Sequence, residues 1–363
     1  TQESQSWTFT GVAQRPVLSL LRDFSAPVEI DYLRSDDELA LLARLDPDPF
    51  ARWEAGQELA RRLLRKRVDA IVENAPAPDS GLLRATWTAL LEDDDLSPAY
   101  LAQVLALPTQ RELLERSSPM RPQAVVQAHR ELKAELGQHL AALWRTLYDH
   151  NADDGRPYSP DPESSGKRAL RALALGYLLA GSQPHANQLA LQQYKTASNM
   201  TDSMTALTAL TNWGDADTRN AAIRHFYDNW QDDPLVIDRW FSVQAASPFT
   251  TVEEIQALML HPAFSLRNPN RARSVIFQFC INNLGHAHSP EGYEFWADQV
   301  LALDALNPEI GARLARTLDH WARLEPALRD AARTSLERVR QHPALSRNTA
   351  EIVNKSLNLH PEH

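Results

Sequence analysis

The stretch Ser35-Asp36-Asp37-Glu38-Leu39-Ala40-Leu41-Leu42-Ala43-Arg44-Leu45 decides the fold, because it holds the signals that begin and continue a helix. A serine followed three residues later by a glutamate is a capping box, in which each side chain pairs with a backbone N–H group. The leucines behind it recur at helical spacing. The same combination of a polar start and an amphipathic run repeats down to the C-terminus, with no credible strand between the runs.

These repeated runs predict about fifteen helices joined by short loops. The predicted helices include residues 50–72, 122–149, 269–282 and 308–324. No period of 33 or 34 residues is present, which excludes ankyrin and tetratricopeptide arrays. Degenerate helix pairs that stack on their neighbours bury many small interfaces and need no single oversized core. We therefore predict a mostly α fold, an armadillo/HEAT-like α-solenoid of stacked helix pairs with a short N-terminal β remnant.

The β remnant is predicted from the first thirty or so residues, which differ from everything after them. Residues 7–12 and 28–32 are rich in β-branched and aromatic side chains in rough alternation, a pattern typical of strands. Two strands do not make a stable domain alone, so we interpret them as the end of a β domain whose beginning is absent. The predicted division is a β-strand segment over residues 1–33 and a helical domain over residues 34–363.

Composition narrows the classes of function. The chain has 363 residues, with 37 basic and 47 acidic side chains and a net charge of −10, which opposes broad binding to nucleic acid or to anionic membranes. No apolar stretch approaches the roughly 18–20 residues that span a bilayer. The first six residues lack the features of a signal peptide, and an initiator methionine is missing, which suggests a fragment of a cytoplasmic protein. The single cysteine, Cys280, lies in an apolar run, where we expect a buried, inert thiol.

The sequence contains no candidate residues for a catalytic or metal centre. The 12 histidines include no His-Glu-x-x-His motif and no pair four residues apart. The sequence His286-Ala287-His288 has no cysteine or carboxylate cluster beside it, and we interpret it as a solvated loop pair. Glycine-rich phosphate loops and a Gly-x-Ser-x-Gly elbow are also absent. We therefore predict no catalytic and no metal-binding residue in this chain.

One local pattern does indicate a ligand. The segment Arg267-Asn268-Pro269-Asn270-Arg271-Ala272-Arg273 starts a helix with three arginines at the end that already carries positive partial charge. The segment Asn307-Pro308-Glu309-Ile310-Gly311-Ala312-Arg313 starts another helix in the same way. If both helices begin on one rim of the solenoid, Arg273 and Arg313 converge and can bind a carboxylate. The alternative is ordinary ion pairing with the many carboxylates of the chain.

A series of motifs also resembles a known family. In chain order they are Phe24-Ser25-Ala26-Pro27-Val28, Phe50-Ala51-Arg52-Trp53-Glu54-Ala55, Asn199-Met200-Thr201-Asp202, Tyr227-Asp228-Asn229-Trp230, Val236-Ile237-Asp238-Arg239-Trp240-Phe241, Ala245-Ala246-Ser247-Pro248 and Asn268-Pro269-Asn270-Arg271-Ala272-Arg273-Ser274. Together they resemble the C-terminal region of the bacterial aminopeptidase N family, zinc-dependent alanyl aminopeptidases of the gluzincin type. The resemblance runs from about residue 7 to the end of the chain.

The resemblance also implies what this chain lacks. The family's zinc motif and its Gly-Ala-Met-Glu-Asn motif belong to a thermolysin-like domain, and neither motif is present here. The chain therefore resembles the last strands of a small β-sandwich domain followed by the helical domain that caps the catalytic domain and encloses the active site. In that case zinc belongs to the catalytic domain, which is the expected partner together with the peptide substrate, and this chain alone is inactive. Arg273 and Arg313 match arginines of the family that hold the peptide.

A second hypothesis comes from a different class of protein. A free-standing HEAT-like scaffold would bind a protein segment in its concave face without any catalytic partner. The two hypotheses differ in the surface that they predict. A cap separated from its partner exposes an apolar or arginine-lined face together with orphan strands, whereas a self-sufficient scaffold carries polar repeats at both ends.

Overall fold

A computed structural model describes residues 4–28, 30–153 and 155–358 of the chain, and the ordered structure is almost entirely helical. The α-helices of the described residues are α1 (Asp36–Leu45), α2 (Pro49–Glu73), α3 (Gly81–Leu91), α4 (Pro98–Val104), α5 (Gln110–Glu115), α6 (Pro122–His139), α7 (Ala141–His150), α8 (Pro162–Ala180), α9 (Ala186–Thr196), α10 (Met200–Trp213), α11 (Ala216–Trp230), α12 (Pro234–Ala245), α13 (Val252–Met259), α14 (Pro269–Ala272), α15 (Gln278–Asn282), α16 (Leu284–Ala287), α17 (Pro290–Leu306), α18 (Pro308–Ala315), α19 (Pro326–Arg340) and α20 (Arg347–Asn358). A π-helical segment, Arg273–Phe277, joins α14 to α15 without a break.

The first helix begins as the capping box predicts. The Ser35 hydroxyl accepts the Glu38 N–H at 3.1 Å, and the Ser35 N–H donates to the Glu38 carboxylate at 2.9 Å. Behind this start, Leu39, Ala40, Leu42 and Ala43 form the buried face of α1 and pack against α2. Serine, aspartate and asparagine caps followed by proline open many of the later helices in the same manner.

The helices stack on their neighbours in the chain, which confirms the predicted α-solenoid. Consecutive helices such as α1 and α2, α7 and α8, α9 and α10, and α17 and α18 pack side by side, and pairs such as α6–α8 and α8–α10 join adjacent layers. One continuous apolar core runs through the stack. No helix among the described residues combines the length and apolar character that a bilayer span requires.

The solenoid also closes on itself at one point. The backbone of Met120 exchanges hydrogen bonds with Arg323 and Glu325, and Met120 and Leu324 form an isolated parallel bridge. The Arg323 guanidinium donates to the carbonyls of Glu115 and Ser117 at 2.6 and 2.9 Å. The turn before α6 is therefore fixed to the segment before α19, although about two hundred residues separate them in sequence.

Two of the long predicted helices are shorter than their periodicity indicates. The run 122–149 divides at Leu140, because the Trp144 indole turns inward and donates to the Leu136 carbonyl at 3.2 Å. Trp144 then stacks on Tyr177 with ring centres 4.4 Å apart. The run 308–324 ends as an α-helix at Ala315 and continues as short 3-10 turns. In the first case tertiary packing of an aromatic side chain outweighs local helix preference.

The two predicted N-terminal strands do not form among the described residues. Residues 4–28 and 30–33 are largely extended, with one short 3-10 turn at Arg22–Phe24, and they form no strand pair. A strand needs a neighbour that accepts its ladder of hydrogen bonds, and the described part of this chain offers none. Apolar side chains of the segment stay in solvent, including Trp7 at 70%, Phe9 at 80% and Leu33 at 89% exposure.

Candidate functional site around Arg313

The helix start at Asn268 forms as predicted. The Asn268 side-chain oxygen accepts the backbone N–H groups of Asn270 at 3.0 Å and Arg271 at 3.4 Å, and Pro269 occupies the first helical position. This cap fixes the direction in which the arginines leave the backbone. The three arginines of the segment nevertheless do not share one role.

Arg271 is a structural residue. Its buried guanidinium donates to the Ala263 carbonyl at 2.9 Å, to the Pro234 carbonyl at 3.0 Å and to the carboxylate of Asp238. The same guanidinium lies over the ring of Phe241. These contacts tie the start of α14 to α12, so Arg271 is not available to a ligand. The ion-pairing alternative is thus the right one for this arginine.

Arg273 is exposed, as a ligand-binding residue must be. Within the described residues it makes no hydrogen bond and no ion pair. It also opens the π-helical segment Arg273–Phe277, an irregularity that is frequent at functional sites in helices. The geometry therefore leaves the Arg273 guanidinium free to contact a ligand.

Arg313 has the same character at the second helix start. Asn307 accepts the N–H groups of Glu309 and Ile310 at 3.2 and 3.3 Å, and α18 follows. Arg313 is exposed on that helix and, among the described residues, has no hydrogen bond or ion pair. It borders a cavity that Arg273 does not line.

This cavity, called the Arg313 cavity below, has a volume of about 260 Å³ and lies where the solenoid closes on itself. Its apolar floor includes Leu114, Met120, Ile281, Leu284, Leu318 and Leu324. Three arginines stand around it, and two of them are paired: Arg111 donates to Glu115 at 2.7 Å and Arg316 lies 3.5 Å from Asp319. Arg313 is the arginine of this group that keeps its charge available for a ligand.

Two residues of the Arg313 cavity were interpreted from sequence as inert or solvated. Cys280 is half-buried rather than fully buried as predicted, and its surroundings raise the pKa of the thiol to about 12, so the thiol stays protonated. The solvated-pair interpretation is wrong for His288, which is buried and hydrogen-bonded to the Tyr293 hydroxyl at 3.1 Å. Burial lowers the pKa of His288 to about 4, so the imidazole is neutral. His286 is half-buried beside the Pro248 carbonyl at 3.2 Å.

The predicted convergence of Arg273 and Arg313 stays a prediction. Arg273 does not border the Arg313 cavity. Cys280 does border this cavity. Arg273 lies seven residues before Cys280 in one continuous helix, or about 10 Å along the helix axis. A ligand longer than one amino acid could span such a separation.

Sequence reasoning missed a second basic cavity, on the other side of α16. Arg130, Lys133 and Trp213 line it, and Leu284 borders both cavities. The available signal was a stripe on α6 with helical spacing, formed by Gln123, Val126, Gln127, Arg130 and Lys133. That stripe carries no carboxylate, which is unusual in an acidic chain. No group of three or more His, Cys, Asp or Glu side chains among the described residues could hold a metal ion.

Comparison with known proteins identifies the family. Residues 36–358 match the family described as a domain of unknown function (DUF3458_C) with ARM repeats, and residues 1–33 match the one described as DUF3458 with an Ig-like fold. Over 98% of its length the chain is 37% identical to aminopeptidase N of Caulobacter vibrioides and 32% identical to aminopeptidase N of Escherichia coli. A solved structure of Legionella pneumophila aminopeptidase A in complex with aspartic acid superposes with a TM-score of 0.85, at 27% identity over 97% of this chain and 42% of that one.

The match covers nearly all of this chain but less than half of each relative. The chain spans 41% of the length of the Caulobacter and Escherichia proteins, which are therefore much longer than the matched part. The match nevertheless extends through both the N-terminal segment and the helical domain. This chain belongs to the DUF3458_C family of ARM-repeat domains and corresponds to the C-terminal region of aminopeptidase N.

Proposed function

We propose that this chain is the non-catalytic helical cap of a zinc-dependent aminopeptidase. The observation that carries the proposal is the likeness over 98% of the chain to about two-fifths of aminopeptidase N. In this proposal the catalytic thermolysin-like domain holds the zinc and acts in the cytoplasm. The cap encloses the active-site cavity and filters peptides.

The exposed surface favours the cap over a free-standing scaffold. The N-terminal segment presents Trp7, Phe9 and Leu33 to solvent, with Phe24 and Val28 also more than half exposed. This many exposed large apolar side chains in one short segment is typical of a site of contact with another part of a protein. A self-sufficient solenoid would instead end in a polar repeat. The segment is suited to pack against the rest of a β-sandwich and a catalytic domain.

Association provides the first test. We expect this chain to bind the matching catalytic portion of the same enzyme at micromolar concentration and to change its peptidase activity. The expected physical cause is burial of the apolar N-terminal segment, which releases water from its side chains. Analytical ultracentrifugation of the two purified parts measures the complex, and a peptide cleavage assay measures the activity. Two parts that still sediment independently at about 50 μM, some fifty times a Kd of about 1 μM, contradict the proposal.

The arginines provide the second test, in the full-length enzyme. We propose that Arg313, with Arg273, holds the distal part or the carboxylate of the peptide. Arg313→Gln should then raise KM for a tripeptide about tenfold or more, because a charge-assisted hydrogen bond contributes about 1.5–3 kcal/mol. An aminoacyl anilide has no such carboxylate, and its KM should not change.

A matched control separates this role from general charge effects. Arg316 lies three residues further on, is also exposed, and pairs with Asp319. Arg316→Gln should therefore leave KM for both substrates within about twofold, a difference of some 0.4 kcal/mol. Equal losses on tripeptide and anilide in Arg313→Gln would refute the carboxylate-binding role and leave the cap proposal standing.

A further inference from the structure

The cavity lined by Arg130 and Lys133, called the amide-lined cavity below, is a second basic site that the cap function does not use. It has a volume of about 450 Å³ and lies between α6, the end of α10 and the α15–α16 turn. Its polar lining consists of carboxamide side chains, two histidines and the two cations, listed as Gln110, Gln123, Gln127, His129, Arg130, Lys133, Asn212, Asn282, Asn283 and His286. No aspartate or glutamate is found among its described lining residues.

Lys133 is the central observation. Its ammonium makes no hydrogen bond and no ion pair with any residue in the described ranges. It lies 5.1 Å from the ring centre of Tyr177 and 5.6 Å from that of Trp213, and these π faces offset only part of its charge. A side chain at Gly176 would come within 3.3 Å of the Lys133 nitrogen, so the glycine leaves room for the ammonium. A half-buried cation without an anionic partner is costly.

A second cation lies beside it. The Arg130 guanidinium stacks on Trp213 with its carbon 3.9 Å from the ring centre and donates one hydrogen bond to the Asn212 carbonyl at 3.3 Å. Burial, reinforced by the charge of Arg130, lowers the pKa of Lys133 to about 8. The lysine still carries a substantial positive charge at neutral pH. The repulsion between the two cations would be relieved by one bound anion.

His129 adds a buried polar atom without a partner. Its Nδ1 has no hydrogen bond within the described part of the chain, while its ring bonds to the backbone of Pro108. Burial lowers the pKa of His129 to about 4, so the imidazole is neutral. A neutral ring that donates to a carbonyl presents its other nitrogen as an acceptor. A ligand that carries an N–H or O–H next to its negative charge would satisfy both the histidine and the cations.

From this arrangement we infer that the amide-lined cavity binds a small oxyanion through Lys133 and Arg130. The class comprises carboxylates and phosphates that carry an adjacent hydrogen-bond donor. The C-terminal residue of a peptide, with its carboxylate and amide N–H, and a protonated phosphate both meet this description. Because Leu284 borders this cavity and the Arg313 cavity, a bound anion would lie next to the proposed peptide site without sharing its arginines.

Calorimetric titration of the chain with three probes tests the inference. The probes are inorganic phosphate, N-acetylalanine, and N-acetylalanine amide, which lacks the negative charge. We expect saturable binding of phosphate, of N-acetylalanine or of both, and none of the amide. Binding of phosphate alone assigns the site to phosphorylated ligands, and binding of N-acetylalanine assigns it to peptide C-termini.

Variants locate the site. Lys133→Met removes the charge at similar volume, and we expect it to weaken binding at least tenfold while thermal unfolding shows an intact fold. Arg130→Gln is the second variant and should weaken binding in the same direction. Lys195→Gln, at an exposed lysine on α9, should bind as the unmodified chain does. The inference is overturned if neither oxyanion binds up to 10 mM, about the weakest affinity of interest for a specific small-ligand site. Undiminished binding in folded Lys133→Met would also overturn it.

Discussion

Replacing Arg271 by alanine is expected to lower the free energy of unfolding by about 3–4 kcal/mol, because it leaves a carboxylate and two carbonyls without their donor. Arg271 is 7% exposed, and its guanidinium donates hydrogen bonds to Asp238, Ala263 and Pro234. Loss of one partner from a buried ion pair costs more than the pair itself contributes, since the remaining charge stays desolvated. Urea unfolding followed by circular dichroism measures the change.

Arg273→Ala is the matched control, two residues further along the same segment. Arg273 is exposed and, among the described residues, has no ion pair or hydrogen bond. Its removal should change the free energy of unfolding by no more than about 0.5 kcal/mol, as is usual for surface positions. Similar losses in both variants would show that the division into one structural and one free arginine is mistaken.

Gly137→Ala is expected to be at least as destabilising, by about 3 kcal/mol or more. A side chain at this position of α6 would lie closer than 3.0 Å to the Tyr177 carbonyl oxygen and 2.8 Å from the Gly181 nitrogen. Both obstacles are backbone atoms of α8 and its C-terminal turn, which no rotamer change can move. The two helices must separate, and that separation opens the packing of Trp144 against Tyr177.

Gly56→Ala in α2 is the control for helix propensity. A side chain there would meet Ala43 at 3.8 Å and Val104 at 3.9 Å, which is ordinary contact. Alanine in a helix interior is favoured over glycine by roughly 0.5–1 kcal/mol, so Gly56→Ala should be neutral or stabilising. Thermal unfolding of the two variants under one condition decides the matter. A Gly137→Ala protein as stable as Gly56→Ala would mean that α6 and α8 are less closely packed than described.

Local signals in the sequence predicted the helices well where a nearby side chain accepts the free backbone N–H groups of the helix start. The capping box at Ser35 and the Asn-Pro starts at Asn268 and Asn307 form with the expected bonds. Such caps depend on residues within three positions of each other, which a sequence displays directly. The N-terminal strands failed for the opposite reason, because a strand is completed by a partner elsewhere in space.

The candidate site was predicted only in part. The contacts that were missed join residues far apart along the chain. The arginine spacing indicated Arg313, but not that Arg111 and Arg316 would already be paired around it. The role of Arg271 depends on Asp238, which is 33 residues away in sequence. The amide-lined cavity was missed because its two cations are in one helix, whereas the residues that keep carboxylates away from them come from four other helices.

The junction at Met120 and Leu324 changes how this repeat protein should behave as a whole. An open array frays from its ends, since each terminal repeat is held by a single neighbour. Here the backbone hydrogen bonds of Met120 and the side-chain hydrogen bonds of Arg323 also hold the late helices to a much earlier part of the chain. Breaking these contacts would separate the residues that line the Arg313 cavity on its two sides. The shape of the Arg313 cavity and the cooperativity of the fold therefore depend on the same contacts.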